Sequence, residues 1–92
     1  MRGYYEDKDE LLERLKKIEG QVRGLQRLVD EDTYCIDIMT QISAVQSGLR
    51  KVAVRLLDDH MRHCVAESLR TGEDAGQKIT EATAAVERLL KA

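Results

Sequence analysis

The chain has 92 residues, with no Phe, Trp or Pro, two Cys, two His and a formal net charge of −2. A domain of this size buries only about 60 to 65% of its unfolded surface, so we expect a second copy of the chain to share its apolar surface. No apolar run approaches the roughly 20 residues of a membrane span, and the start MRGYYEDKDE lacks the apolar stretch of a signal peptide. We therefore expect one cytoplasmic domain over residues 1–92, no membrane partner, and cysteines that are free thiols or ligands.

The first predicted element is a helix over residues 8–29. Its apolar residues recur alternately every four and every three positions, which is typical of one helical seam. Asp7 and Glu10 resemble a capping box at its start. The acidic stretch DEDT, residues 30–33, interrupts the seam, and its Thr33 is a good N-cap for the next helix.

The second and third predicted elements are also helices. The same apolar spacing, uninterrupted by proline, predicts one unbroken helix from residue 34 to about 70. Gly72 stands where a helix C-terminus commonly places a left-handed residue, and a shorter helix is predicted over residues 74–91. The fold class is therefore all-α, a three-helix protomer with a long central helix that suits pairing into an antiparallel four-helix bundle.

Two glycines inside the first helix, Gly20 and Gly24, each cost about 1 kcal/mol relative to alanine. One interpretation is the close approach of another helix. The other is a bare backbone that lets a nucleic-acid phosphate or a partner approach beside Arg23 and Arg27. The sequence leaves both open.

Basic charge is concentrated in two short stretches although the whole chain is slightly acidic. Residues 14–29 contain five basic side chains against one acid, and residues 50–55 contain three basic side chains and no acid. Clusters of this kind are the electrostatic footprint of phosphate binding. The predicted DNA contacts are Arg14, Lys17, Arg23, Arg50, Lys51 and Arg55. No recognised helix-turn-helix, zinc finger or basic zipper accompanies them.

Three of the four His and Cys residues lie in one stretch, DDHMRHC, residues 58–64. On a helix, His60 and Cys64 project from the same face about 40° apart, which suits two ligands of one metal ion. His63 lies about 100° around the helix from Cys64 and is the weaker candidate. A surface histidine beside a buried thiol is the alternative explanation of this pair.

The other soft ligand, Cys35, lies near the opposite end of the same predicted helix. It is separated from His60 by about 37 Å of helical rise, so the two cannot share a metal within one chain. Antiparallel packing of a second copy would bring Cys35 level with the partner's His60 and Cys64 and would form two equivalent sites. Two thiolates and one imidazole favour Cu(I), with zinc the main rival. No catalytic motif is present, so neither an enzyme activity nor a small-molecule substrate is expected.

The stretch over residues 14–65 resembles the CsoR/RcnR-like family of bacterial transcriptional repressors, and in particular its copper-sensing branch. The resemblance is carried by RLKKIEGQVRG, YCIDIMTQISAVQ and H-x-x-x-C. It implies an all-helical dimer of dimers, that is a homotetramer, with a metal site bridging two subunits. It also implies release of operator DNA on Cu(I) binding, which derepresses copper-resistance or efflux genes.

Carried over by position, the resemblance implies roles for individual residues. Its Cu(I) ligands are Cys35, His60 and Cys64; residues linking the metal to the rest of the protein are Tyr34 and Glu81; the main DNA contacts are Arg14 and Lys51. The nickel and cobalt branch adds an N-terminal histidine, which MRGYY lacks. The persulfide branch keeps both cysteines but lacks a histidine at position 60. A thiol or persulfide redox-sensing repressor on the same scaffold stays the alternative, and a plain helical oligomerisation module is the third.

Overall fold

The computed structural model describes residues 7–72 and 74–91, with Val65 described by its backbone alone. The elements are α1 (Lys8–Asp30), α2 (Cys35–Asp59), a π-helical segment (His60–Val65), α3 (Ala66–Thr71) and α4 (Ala75–Lys91). No strand occurs within the described ranges. The all-α prediction is therefore confirmed, and none of these helices is both long and apolar enough to cross a membrane.

The chain divides into two compact units, and residues 7–54 belong to the first. In this unit α1 and most of α2 form a hairpin, because a short turn joins them. Ile18 of α1 packs on Gly48 of α2, since a Cβ at Gly48 would lie 3.3 Å from the Ile18 side chain. Gly20 and Gly24 have no such neighbour within 4 Å of a Cβ. Within the described chain no side chain or other helix therefore approaches Gly20 or Gly24 closely, and the approach of a helix from a second copy stays a prediction.

The turn after α1 is a Schellman motif with an aspartate in the left-handed position. Asp32 has φ 57°; its N–H donates to the Val29 carbonyl at 3.1 Å, and the Thr33 N–H donates to the Leu28 carbonyl at 3.0 Å. These two bonds satisfy carbonyls that the end of a helix leaves without partners. Asp is one of the few non-glycine residues that adopt this conformation readily.

Two capping predictions are wrong. Asp7 precedes α1, but its side chain makes no capping hydrogen bond, and its backbone carbonyl instead accepts the Leu11 N–H at 2.9 Å. Thr33 does not cap α2, because the first helical carbonyl is that of Tyr34, which accepts the Asp37 N–H at 3.0 Å. The preference of a residue type for a cap does not decide which residue the chain places there.

The second unit contains residues 55–72 and 74–91. In it α4 packs against the π-helical segment and α3. Gly72 has φ 80°, which confirms its predicted left-handed conformation. The Asp74 carboxylate then accepts the Gln77 N–H at 2.9 Å and caps α4.

Much of the predicted apolar seam stays exposed in the single chain. Leu11, Ile18, Val45 and Val52 are buried. Other large apolar side chains of α1 and α2 are exposed: Leu15, Val22, Ile36, Met39, Ile42, Leu49 and Val54. Burying such surface contributes about 25 cal/mol per Å², so these two helices offer a second chain a substantial apolar surface.

Candidate metal centre and nucleic-acid interface

The stretch that contains the two candidate ligands is π-helical, not α-helical. The predicted unbroken helix from residue 34 to about 70 is confirmed, since the chain is helical throughout Cys35–Thr71, but its hydrogen bonding changes to the π-helical pattern over His60–Val65. In a π-helix the backbone hydrogen bonds join residues i and i+5, so each turn holds more than four residues. Residues four positions apart therefore lie almost directly above one another along the helix axis. His60 and Cys64 thus stay on one face. Short π-helical segments are frequent at functional sites.

His60 is half-buried and is oriented by the backbone of α4. Its Nε2 lies 3.4 Å from the carbonyl oxygen of Lys78. When Nε2–H donates to a carbonyl, the neutral ring keeps its lone pair on Nδ1, which is then the nitrogen available to a metal. Sequence reasoning did not identify Lys78 as this partner, because every residue has a carbonyl and only packing selects one.

Cys64 lies inside the second unit with 4% of its surface exposed. The hydroxyl of the buried Ser68 donates a hydrogen bond to the carbonyl oxygen of Cys64 at 3.1 Å. This bond helps to fix the backbone at the candidate ligand. Ala82 of α4 is buried in the same unit. The alternative of a surface histidine beside a buried thiol describes Cys64 but not His60, which α4 partly covers.

Cys35 is the first residue of α2 and is exposed. The helix it begins has 25 residues, which corresponds to about 37 Å of rise. Tyr34, just before it, is also exposed, while the weaker candidate His63 is half-buried. Among residues 7–72 and 74–91, no three His, Cys, Asp or Glu side chains of one chain form a group that could hold a metal ion.

Glu81 lies on α4, one turn after Lys78, and is exposed. Its carboxylate accepts a hydrogen bond from the Gln77 amide at 3.4 Å. In this structure the His60 Nε2 contact is to the Lys78 carbonyl, so a link from His60 to Glu81 requires a different orientation of either side chain. The proposed role of Glu81 stays a prediction.

All six predicted DNA contacts are exposed: Arg14, Lys17, Arg23, Arg50, Lys51 and Arg55. Arg14 pairs with Glu10 at 3.4 Å, and Arg23 pairs with Glu19 at 2.8 Å. Exposed pairs of this kind are worth about 0.3 to 0.5 kcal/mol, so a DNA phosphate can replace the carboxylate at little cost. Which of the six side chains contact DNA stays a prediction.

Comparison with known proteins identifies the family to which this helical chain belongs. Residues 7–88 match the family model described as metal-sensitive transcriptional repressor, and the chain belongs to this family. The N-terminal MRGYY, used above to set aside the nickel and cobalt branch, lies outside the described residues.

Individual relatives refine the comparison. The chain is 51% identical over 90 residues to the copper-sensing transcriptional repressor RicR of Mycobacterium tuberculosis, covering 97% of this chain and 94% of RicR. It is 53% identical over 75 residues to the copper-sensing transcriptional repressor CsoR of Bacillus subtilis, covering 82% of this chain and 73% of that CsoR.

Two solved structures share the fold. The crystal structure of CsoR with Cu(I) from Geobacillus thermodenitrificans has a TM-score of 0.86 and 43% identity, covering 94% of this chain and 88% of that one. The nickel-responsive transcriptional regulator InrS is more distant, with a TM-score of 0.74 and 34% identity, covering 88% of this chain and 90% of InrS.

Proposed function

We propose that this chain is a Cu(I)-responsive transcriptional repressor of the cytoplasm. It binds operator DNA when metal-free and releases it on binding Cu(I), which derepresses copper-resistance or efflux genes. The observation that carries the proposal is the donor set: a buried Cys64 and a half-buried His60 share one face, and Cys35 begins the same long helix. The copper-sensing relatives support the same metal.

The proposed metal site takes ligands from two chains. One subunit contributes His60, through Nδ1, and Cys64, while its partner contributes Cys35. The length of α2 supports this arrangement, because its 25 residues correspond to about 37 Å of helical rise. The exposed apolar side chains of α1 and α2 support an antiparallel homodimer with two such sites, and two dimers assemble into the homotetramer.

The donors fit Cu(I) better than Zn²⁺. Thiolate-rich sites of low coordination number select Cu(I), whereas structural zinc takes four ligands. The site proposed here offers two thiolates and one imidazole, which is one ligand fewer than structural zinc takes. His60 also separates copper sensing from persulfide sensing, because chemistry between Cys35 and Cys64 needs no imidazole.

The proposed coupling to DNA runs through the second unit. The π-helical segment and α4 pack together, so a ligand that fixes His60 and Cys64 also acts on α4. Tyr34 and Glu81 are the proposed links to the rest of the oligomer. By reciprocity, DNA must weaken Cu(I) binding by the same factor by which Cu(I) weakens DNA binding.

The decisive experiment titrates Cu(I) into the reduced protein bound to a fluorescent duplex taken from the promoter upstream of its own gene. Cu(I) should lower DNA affinity by about 5-fold to 150-fold, the usual range of allosteric coupling. Unchanged affinity at stoichiometric Cu(I) would refute the function.

His60→Ala serves as the second arm of this experiment. It should abolish the response to Cu(I) because the site loses its only imidazole. If inorganic polysulfide releases DNA from both the unmodified protein and His60→Ala while Cu(I) releases it from neither, the persulfide alternative is correct.

A further inference from the structure

A groove of about 540 Å³ lies between α1 and the first part of α2. It is formed entirely within the first unit, and the metal ligands His60 and Cys64 do not line it. Along α1 its lining includes Lys17, Gly20, Gly24 and Arg27, which follow one another at the three- and four-residue spacing of one helix face. The DNA contacts predicted above include only Lys17 from this groove.

The two glycines leave the groove open. A Cβ at Gly20 or Gly24 would meet nothing within 4 Å, so packing within the described chain does not require glycine at either position. Glycine in a helix interior nevertheless lowers helix stability relative to alanine. A benefit that offsets this cost can come from a group outside the described chain that approaches the backbone of α1 closely.

The charge of the groove indicates that the approaching group is an anion. Lys17 and Arg27 form no ion pair with a described residue, whereas Arg14 and Arg23 on the same helix are each paired with a glutamate. Asp37 is the one acid in the lining, and Gln21 and Gln41 add amide groups that can donate hydrogen bonds. The two cations are ten residues apart, about 15 Å along α1, so each can contact a different phosphate of one DNA strand.

We propose that this groove binds the phosphodiester backbone of the operator, with Lys17 and Arg27 contacting phosphates and Gly20 and Gly24 allowing the strand to approach α1. The inference rests on the proposed function and deepens it, because it adds Arg27 to the six predicted DNA contacts and selects the phosphate interpretation of the two glycines that the sequence left open. It also explains why an exposed helix keeps two residues that destabilise it.

The test compares Gly24→Leu with the matched variant Gln26→Leu, which places the same side chain on α1 outside the groove. A leucine at position 24 blocks the approach of the strand to both cations. Affinity for the promoter duplex should therefore fall about tenfold or more, and the slope of log K against log[salt] should decrease in magnitude by about 1.8, as for two lost phosphate contacts. Gln26→Leu should change neither, and both variants should keep the Cu(I) affinity and helicity of the unmodified protein.

A second pair tests charge without filling the groove. Arg27→Gln should decrease the magnitude of the salt slope by about 0.9, whereas Lys16→Gln, which removes a cation outside the lining, should leave it unchanged. Equal effects of the two substitutions would mean that only the overall field matters and would overturn the inference.

Three other outcomes also overturn the inference. Gly24→Leu could bind DNA as Gln26→Leu does. It could lose DNA together with oligomer mass in light scattering, which would assign the groove to a second copy of the chain. The amide signals of Gly20 and Gly24 could shift with millimolar inorganic phosphate but not with duplex, which would identify free phosphate as the ligand. If the unmodified protein does not bind the duplex at all, the proposed function fails as well.

Discussion

Complementation between two defective variants tests directly whether the proposed metal site bridges two chains. Cys35→Ala and His60→Ala should each lack tight Cu(I) binding as homo-oligomers, because every site loses one of its three ligands. In a mixed antiparallel dimer, the His60→Ala chain still supplies Cys35, and the Cys35→Ala chain still supplies His60 and Cys64. One complete site therefore returns in each mixed dimer, while the other site lacks both residues.

The expected stoichiometry follows from the length of α2. Because its 25 residues correspond to about 37 Å of helical rise, we expect that the proposed site does not form within one chain. Random exchange of equal amounts makes about half of the dimers mixed, giving about one quarter of a tightly bound copper per chain, against about one in the unmodified protein. Titration of the co-refolded mixture against a Cu(I) chelator measures this value. No recovery, with subunit exchange confirmed by mass spectrometry, would mean that Cys35 does not cross to the partner's site.

Three further predictions concern coupling, DNA binding and packing. Glu81→Ala should bind Cu(I) with nearly unchanged affinity but reduce the copper-induced loss of DNA affinity, and an unchanged coupling factor in anisotropy titrations would remove Glu81 from the relay. Substituting both Arg14 and Lys51 by Gln should abolish DNA binding with no change in circular dichroism. Normal DNA binding by this variant would mean that the surface carrying these two residues does not contact DNA. Gly48→Leu should lower the free energy of unfolding by about 1 to 3 kcal/mol through overpacking on the nearby α1. Gly24→Ala should raise the free energy of unfolding by up to about 1 kcal/mol. Unfolding of both variants in guanidinium chloride measures these changes, and equal effects would contradict the packing described.

The bounds of the helices were largely predictable because they depend on local chemistry. A regular apolar seam without proline predicts a helix regardless of the tertiary structure around it. Gly72 marks the end of a helix because glycine adopts the left-handed conformation readily. The turn at Asp32 was located correctly by its acidic residues, but its Schellman geometry was not predicted. Aspartate adopts the left-handed conformation only when the flanking hydrogen bonds compensate for its cost.

The candidate site was predictable in its composition and in the shared face of His60 and Cys64, but not in its hydrogen bonding. Cys35, His60 and Cys64 were identified by type and spacing, since His and Cys are rare in this chain. The π-helical hydrogen bonding of residues 60–65 was not predicted, because apolar periodicity does not distinguish a π-helix from an α-helix over six residues. The contact of His60 with the Lys78 carbonyl depends on the packing of α4, which no pattern in residues 58–64 contains.

The sequence by itself determined that this chain is all-helical, that its candidate metal ligands lie at the two ends of one long helix and that its basic charge lies in two stretches. These properties follow from residue type and helical rise, which do not depend on a neighbour. The tertiary structure decided which glycine packs against a helix and which two line an open groove, because Gly20, Gly24 and Gly48 have the same local chemistry. They differ only in what lies opposite them, which is Ile18 for Gly48 and open space for the other two.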